Sequence, residues 1–251
     1  MIQNLKKMFL VVTTILTLLI PSLSYCQQVY DHSLNNSVFE RSEYYDQNQI
    51  YDNYSLFLNK VDTSTKIFIH LHGCGGIYSA DKGAGIQYLR SKGAVITIDF
   101  LKRPGVKSSC PGGKFGDTSE ASNPQRLDLR RKEAEVLVLD LQSKGYNNIY
   151  ISGHSEGGRV ASTWTMPVNG IIIHGMDCKL HWFWNIQRNQ KVIVMFNWRD
   201  EWIIAKRGIA SCQHFFNKGW VTEVSTNEIS HVPFSNVLFV EEFQKWLINT
   251  P

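Results

Sequence analysis

The sequence predicts an α/β fold, in which a mostly parallel central sheet is covered by helices on both faces. Short, continuously apolar stretches alternate with longer amphipathic stretches along most of the chain. Strands buried on both faces have this apolar pattern, and the helices that cover them are amphipathic. The composition agrees, because 251 residues with 43% hydrophobic and 19% charged residues suit one domain with a full core.

The first 26 residues have the pattern of a secretory signal peptide. Lys6 and Lys7 precede an apolar run from Met8 to Ile20, which Pro21 ends. A signal anchor is the alternative, but the run is shorter than the about 20 residues that a membrane-spanning helix needs. We therefore expect an exported protein, periplasmic or secreted, without stable membrane insertion after the signal is cleaved.

Cleavage is expected after Cys26, with Ser24 and Cys26 as the small residues of the cleavage site. Residues 27–251 then form a single domain. A lipoprotein signal would also use a cysteine at this point, but Tyr25 is bulkier than lipoprotein processing tolerates.

The charge of the chain argues against a nucleic-acid-binding protein. Removal of Lys6 and Lys7 with the signal lowers the formal net charge from +4 to +2. No later stretch is rich in lysine and arginine, as an electrostatic contact with phosphates would require.

Four cysteines remain after cleavage, and an even number in an exported protein favours two disulfides. Four cysteines allow three pairings, of which we favour Cys74 with Cys110 and Cys178 with Cys212. Free buried thiols are the alternative. A zinc site is disfavoured because no pair has C-x-x-C spacing, and we expect no metal.

The first half of the chain contains the first buried strands. Residues 27–60 predict an irregular segment or an edge hairpin without chemistry. Residues 66–72 and 94–100 read as buried strands, and residues 79–93 between them read as a helix. Residues 101–123, rich in glycine and proline, predict a long loop, and loops of this length are often functional.

The second half continues the alternation of strands and helices. Residues 124–146 predict a helix with a broad apolar face and a stop at Gly145. That face contains Leu127, Val136, Leu137, Leu139 and Leu141. The remaining predicted elements are strand 148–153, helix 155–164, strands 170–175 and 191–197, helix 202–217, strand 220–225 and helix 235–249.

A Gly-x-Ser-x-Gly motif lies at the predicted turn from strand to helix, with Gly153, Ser155 and Gly157 at its fixed positions. Such a turn can hold a serine in a strained conformation, where any side chain on the flanking glycines would collide with neighbouring backbone. A serine hydroxyl becomes a good nucleophile only when a base takes its proton and an acid orients that base. The alternative is a small residue in a glycine-rich turn.

The partners of Ser155 should follow other strands, because functional groups in open α/β sheets collect at the carboxyl ends of strands. Asp200 comes three residues after a predicted strand, and His231 lies in a loop after the last one. Ser, Asp and His follow each other in the order expected for this type of turn. Glu201 and Asp177 remain alternatives for the acid, and a surface loop histidine is the alternative for His231.

Two backbone amides are predicted to bind the oxyanion that forms during acyl transfer. One is the N–H of Glu156 at the start of the helix. The other is the N–H of Cys74 or Gly75, in the sequence HGCGG at residues 72–76, here called the glycine loop. A plain glycine turn is the alternative for this loop. A cysteine nucleophile at Cys74 is disfavoured, because a thiol there would face the wrong side of the reacting carbonyl.

Four stretches resemble those of α/β-hydrolases, and the compact chain is most similar to the dienelactone hydrolase-related group. They are HLHGCGG, GHSEGG, NWRDEW and ISHVPF, in this order, within roughly residues 60–250. The resemblance implies a triad of Ser155, Asp200 and His231 that cleaves carboxylic esters of small molecules without a cofactor. Dienelactone hydrolases proper are cytosolic and have a cysteine at the elbow, so a dienelactone substrate is not implied.

Side chains near the predicted site give no single indication of substrate. Lys102, Arg103 and Lys107 either favour an acidic substrate or are solvated loop charges. The aromatic residues of 181–186, with Trp198 and Trp202, line a pocket or belong to the core. The Glu156 side chain is expected at the surface, on the rim of the pocket.

Two other functions remain open on the sequence alone. A peptidase or amidase would use the same triad, and a non-catalytic binding protein of this fold would bury or mispair Ser155. The sequence leaves the oligomeric state undetermined.

Overall fold

An eight-stranded sheet forms the centre of the protein in the computed structural model, which describes residues 38–77, 85–110, 123–176, 178, 190–202, 211–212 and 221–250. The strand order is β2-β1-β4-β3-β5-β6-β7-β8. The strands are β1 Ser42–Tyr45, β2 Ile50–Tyr51, β3 Ile67–Leu71, β4 Ala94–Ile98, β5 Ile149–His154, β6 Gly170–His174, β7 Val192–Asn197 and β8 Val221–Thr226.

The strands from β4 to β8 pair in parallel, as the apolar strand pattern predicts. Strands β3 to β7 are buried along their whole length, which explains their continuous apolar sequences. An antiparallel hairpin of β1 and β2, one of the two forms predicted for residues 27–60, adds to the edge of β4.

Helices cover both faces of the sheet, which confirms the predicted layers. The helices are α1 Tyr54–Leu58, α2 Ile86–Arg90, α3 Pro124–Ser143, α4 Glu156–Ser162 and α5 Val237–Ile248. On one face, Ile67 and Ile69 of β3 belong to a core with residues of α3 and α4. Between them, Phe68 points to the opposite face and belongs to a core with residues of α2 and α5.

Asparagine caps begin three of the helices. The Asn123 side chain accepts hydrogen bonds from the amides of Gln125 and Arg126, and Pro124 occupies the first helical position of α3. Asn53 and Asn236 cap α1 and α5 in the same way. Two short 3₁₀ turns, Phe100–Lys102 and Pro233–Ser235, lie in the loops after β4 and β8.

Several predicted elements differ from the structure in extent. The helix predicted at 79–93 is helical at Ile86–Arg90, and residues 78–84 lie outside the described part of the chain. Most of the helix predicted at 202–217 and residues 111–122 of the long loop also lie outside it. So do the signal peptide and the expected cleavage site, within residues 1–37.

The buried face of α3 differs from the predicted face in its chemistry. Leu127, Leu137 and Leu141 are buried as expected, whereas Val136 and Leu139 are only half-buried. Two charged residues, Arg130 and Glu133, take places in the buried stripe. Both carry ion pairs there, which is the condition under which charges are tolerated in a core.

Two disulfides join Cys74 to Cys110 and Cys178 to Cys212, so the favoured pairing is confirmed. Their Cα atoms are 5.5 Å and 4.9 Å apart, within the range that disulfides span. Within the described residues, no helix has both the length and the apolar character to cross a membrane.

Substitution of Phe243 on α5 tests the packing of the second core. Its side chain is fully buried, and its ring centroid lies 5.4 Å from that of Phe234 and 5.7 Å from that of Tyr88. We expect Phe243→Ala to lower the free energy of unfolding by about 3–5 kcal/mol, measured by urea denaturation. Val237→Ala on the exposed side of the same helix should change it by less than about 0.5 kcal/mol. Similar losses for the two variants would contradict the assignment of this core.

Candidate active site

Ser155 occupies a strained turn between β5 and α4. Its φ is 53° and its ψ is −114°, and among the described residues it alone has a positive φ without being glycine. Such a conformation costs an L residue about 1–3 kcal/mol and is retained where the surroundings enforce it. The Ser155 amide donates a hydrogen bond to the carbonyl oxygen of His174, at 3.0 Å, which holds the turn against β6.

The two glycines of the motif allow this turn because backbone passes where a side chain would be. A Cβ atom on Gly157 would lie 1.9 Å from the carbonyl oxygen of Leu71, at the end of β3. A Cβ atom on Gly153 would lie 2.2 Å from the carbonyl oxygen of Gly157. The turn therefore packs backbone against backbone, and only glycine fits at these two positions.

His231 and Asp200 form a hydrogen-bonded pair at the same edge of the sheet. The Nδ1 atom of His231 lies 2.7 Å from Oδ2 of Asp200, whose side chain is fully buried. Because a carboxylate accepts, Nδ1 is the donor, and Nε2 of the neutral ring is then an acceptor. The other Asp200 oxygen accepts a hydrogen bond from the Trp202 amide, at 2.9 Å.

The structure describes two of the three candidate acids, Asp200 and Glu201. Asp200 contacts His231, whereas the adjacent Glu201 is exposed. Asp177 lies outside the described residues.

The loop that carries His231 is held by side chains of β5 and β7. His154 donates a ring N–H to the His231 carbonyl oxygen at 3.0 Å, and Asn197 donates its amide to the Ser230 carbonyl oxygen at 2.5 Å. The His154 and His231 rings are 5.0 Å apart, and Trp202 stacks on His231 at 5.3 Å. The structure thus places His231 against the residue that directly precedes Ser155.

Three successive carbonyl groups of the glycine loop accept hydrogen bonds. Arg130 donates to the carbonyl oxygen of His72 at 2.6 Å, and Ser108 donates to that of Cys74 at 2.7 Å. The His72 ring contacts the carbonyl oxygen of Gly73 at 2.6 Å through Nδ1. The loop carrying the predicted donors Cys74 and Gly75 is therefore fixed from several sides.

The prediction that the Glu156 side chain lies at the surface is wrong. Its carboxylate is buried, accepts hydrogen bonds at 2.7 Å from both Arg126 and Arg130, and also accepts one from Ser109. Burial raises the pKa of Glu156, but the two guanidinium groups and the serine outweigh it and hold this pKa below its usual value. Glu156 is thus a structural anion beside the proposed nucleophile.

Two of the three loop charges have ionic partners, and the third, Lys107, is exposed. Arg103 contacts the buried Glu133 at 2.6 Å, and Lys102 lies 3.6 Å from Asp99. Trp198 packs on Phe196 in the core. Residues 181–186 lie outside the described part of the chain.

Three residues that contact segments of the site have no motif that identifies them in the sequence. His154, Asn197 and Arg130 act through contacts with residues 26 to 77 positions away, which no local pattern reveals. Of the three, only Arg130 could have been predicted to be buried, because it lies three residues after Leu127 and four before Ala134 in the apolar stripe of α3. The described residues contain no group of three or more metal-ligating side chains positioned to hold a metal ion.

The fold is similar to those of several solved structures at low sequence identity. A protein of unknown function from Agrobacterium tumefaciens has a TM-score of 0.53 and 13% identity, with 87% of this chain and 99% of that chain covered. An esterase from Pyrococcus furiosus has a TM-score of 0.51 and 15% identity, with coverage of 75% and 84%. A protein from Thermus thermophilus has a TM-score of 0.50 and 12% identity, with coverage of 72% and 89%.

No protein-family model matches the sequence, and no curated protein matches it significantly. At these identities the structural likeness establishes the fold and nothing finer. The chain has the α/β-hydrolase fold, as the resemblance of its motifs implies.

Substitution of the motif glycines tests the close packing of the turn. We expect Gly157→Ala to lower the free energy of unfolding by more than about 3 kcal/mol, because the added Cβ has backbone atoms in its place. Gly158→Ala is the matched control, since a Cβ there would lie 3.3 Å from its nearest neighbour, the carbonyl oxygen of Gly153. Chemical denaturation would measure the free energy of unfolding of both variants. Equal values for the two variants would contradict this packing.

Proposed function

We propose that this protein is an exported serine hydrolase that cleaves carboxylic esters of small molecules through an acyl-enzyme on Ser155. The observation that carries the proposal is the hydrogen-bonded pair of His231 and Asp200, with His231 in contact with His154, the residue before the strained Ser155. Three residues from separate strand ends of an α/β-hydrolase fold then have the roles that acyl transfer requires.

The buried Asp200 carboxylate orients the imidazole and stabilises its cationic form. With Nδ1–H directed at Asp200, Nε2 of His231 takes the Ser155 proton as the hydroxyl oxygen attacks the ester carbonyl. The tetrahedral intermediate places negative charge on the former carbonyl oxygen. The amides of Glu156 and of Cys74 or Gly75 bind this oxyanion.

Collapse of the intermediate releases the alcohol, which takes the proton from His231, and leaves the acyl group on Ser155. Water then attacks the acyl-enzyme with His231 as the base, and the acid is released. Every step uses groups of the chain and water, so the mechanism needs neither a metal nor a cofactor.

Two features support export and ester cleavage. Disulfides persist in oxidising compartments, and both pairs in this chain lie within bonding distance. The similarity to a Pyrococcus furiosus esterase supports ester chemistry as the first activity to test.

Labelling with a fluorophosphonate tests the proposed nucleophile. We expect the intact mass of the wild type to increase by one adduct and that of Ser155→Ala to stay unchanged, because only an activated serine displaces fluoride. Ser162→Ala, a buried serine at the end of α4, is the matched control and should label like the wild type.

Unlabelled wild-type protein would then be assayed on a p-nitrophenyl ester and the matching p-nitroanilide. Faster ester cleavage supports the proposal, and faster anilide cleavage would favour the amidase alternative. A folded, oxidised wild type without an adduct would contradict the assignment of Ser155 and favour a binding function.

A further inference from the structure

The segment Ser108–Cys110 contacts both parts of the chain that carry proposed oxyanion donors, the glycine loop and Glu156. Ser108 donates to the carbonyl oxygen of Cys74, and Cys110 is disulfide-bonded to the same residue. Between them, Ser109 donates to the carboxylate of Glu156. One short segment is thus tied to the glycine loop on one side and to the residue after Ser155 on the other.

The contact with Cys74 fixes the direction of an oxyanion donor. A trans peptide is planar, so the carbonyl oxygen of one residue and the N–H of the next point in opposite directions. The described residues contain no cis peptide. A hydrogen bond from Ser108 to the Cys74 carbonyl oxygen at 2.7 Å therefore orients the Gly75 N–H.

The same argument applies one residue earlier. The Phe100 amide donates to Nε2 of His72 at 3.1 Å, so in the neutral ring Nδ1 carries the proton. That Nδ1–H donates to the Gly73 carbonyl oxygen at 2.6 Å and orients the Cys74 N–H. Both candidate donors of the glycine loop are thus held through the carbonyl group that precedes them.

Glu156 is also linked to the glycine loop through a buried charged side chain, that of Arg130. Glu156 supplies the other proposed donor, and its side chain is anchored by Ser109 and Arg130. The second Nη atom of Arg130 donates to the His72 carbonyl oxygen at 2.6 Å. Ser109 and Cys110 are themselves buried, so water has little access to these contacts.

We propose that the segment Ser108–Cys110, cross-linked to Cys74, is a positioning element that sets the geometry of the two oxyanion donors. It acts through the carbonyl group of Cys74 and the side chain of Glu156, and it supplies none of the groups that the mechanism uses. This proposal rests on the proposed function, because donors need positioning only if an oxyanion forms.

The two disulfides provide a matched pair for the test. They close loops of 36 and 34 residues, so the loss of either should change the chain entropy of the unfolded state by nearly the same amount. Only the first lies on the glycine loop. The variants are Cys74→Ala with Cys110→Ala, and Cys178→Ala with Cys212→Ala as the control.

The readout compares a p-nitrophenyl ester with its thiono analogue, in which sulfur replaces the carbonyl oxygen. Sulfur accepts hydrogen bonds weakly, so oxyanion donors accelerate the thiono ester less. We expect the variant without Cys74 and Cys110 to lose about 10- to 100-fold in kcat on the oxoester, with little change in KM, since complete removal of one donor costs about 10²–10³-fold. The ratio of oxoester to thiono ester rates should fall with it, whereas the control variant should keep the wild-type ratio.

Ser108→Ala keeps the disulfide and covers the case in which the double variant fails to fold. It should lower the same rate ratio by a smaller factor. The positioning role would be overturned if the wild type is an active esterase and the rate ratio is unchanged in Ser108→Ala and, where it folds, in the variant without Cys74 and Cys110. A wild type that neither labels nor hydrolyses esters would instead overturn the proposed function, and this proposal with it.

Discussion

The backbone of Ser155 adopts a conformation that an L residue takes only at a cost, and the surrounding backbone enforces it. The end of β3 passes within contact distance of Gly157, and β6 accepts the Ser155 amide hydrogen bond. The close approach of these segments raises the serine above the carboxyl ends of the strands, where His154 also holds the His231 loop. Strain at one residue is thus balanced by the packing of a parallel sheet on a short helix.

Buried charged side chains also stabilise the geometry around this turn. Glu156 follows Ser155 directly, and its carboxylate is enclosed with two arginines of α3, Arg126 and Arg130. Pairing of this kind contributes little net stability, because desolvation of the charges offsets their attraction, but it imposes a defined geometry. Since Arg130 also holds the glycine loop, α3 joins the two segments that carry the proposed oxyanion donors.

The fold was predictable from the sequence to a greater extent than the site. Continuously apolar strands predicted a parallel sheet, because strands buried on both faces do not alternate between apolar and polar residues. Asp200 and His231 could be located because each follows a predicted strand, and these two strands pair in the sheet. The burial of Glu156 was not predictable, because its partners are 26 to 47 residues away and a glutamate at a helix start is usually solvated. The roles of His154 and Asn197 were not predictable for the same reason, since both hold the His231 loop through distant backbone carbonyl groups that no sequence motif contains.

Detection of the acyl-enzyme would test directly whether Ser155 is the nucleophile. The protein would be mixed with p-nitrophenyl acetate, quenched in acid at successive times within the first turnovers, digested and analysed by peptide mass spectrometry. We expect an initial burst of p-nitrophenol and an acetyl group on the peptide that contains Ser155, at the serine itself. Acetylation at another residue, or turnover without an acetylated peptide at any quench time, would contradict it.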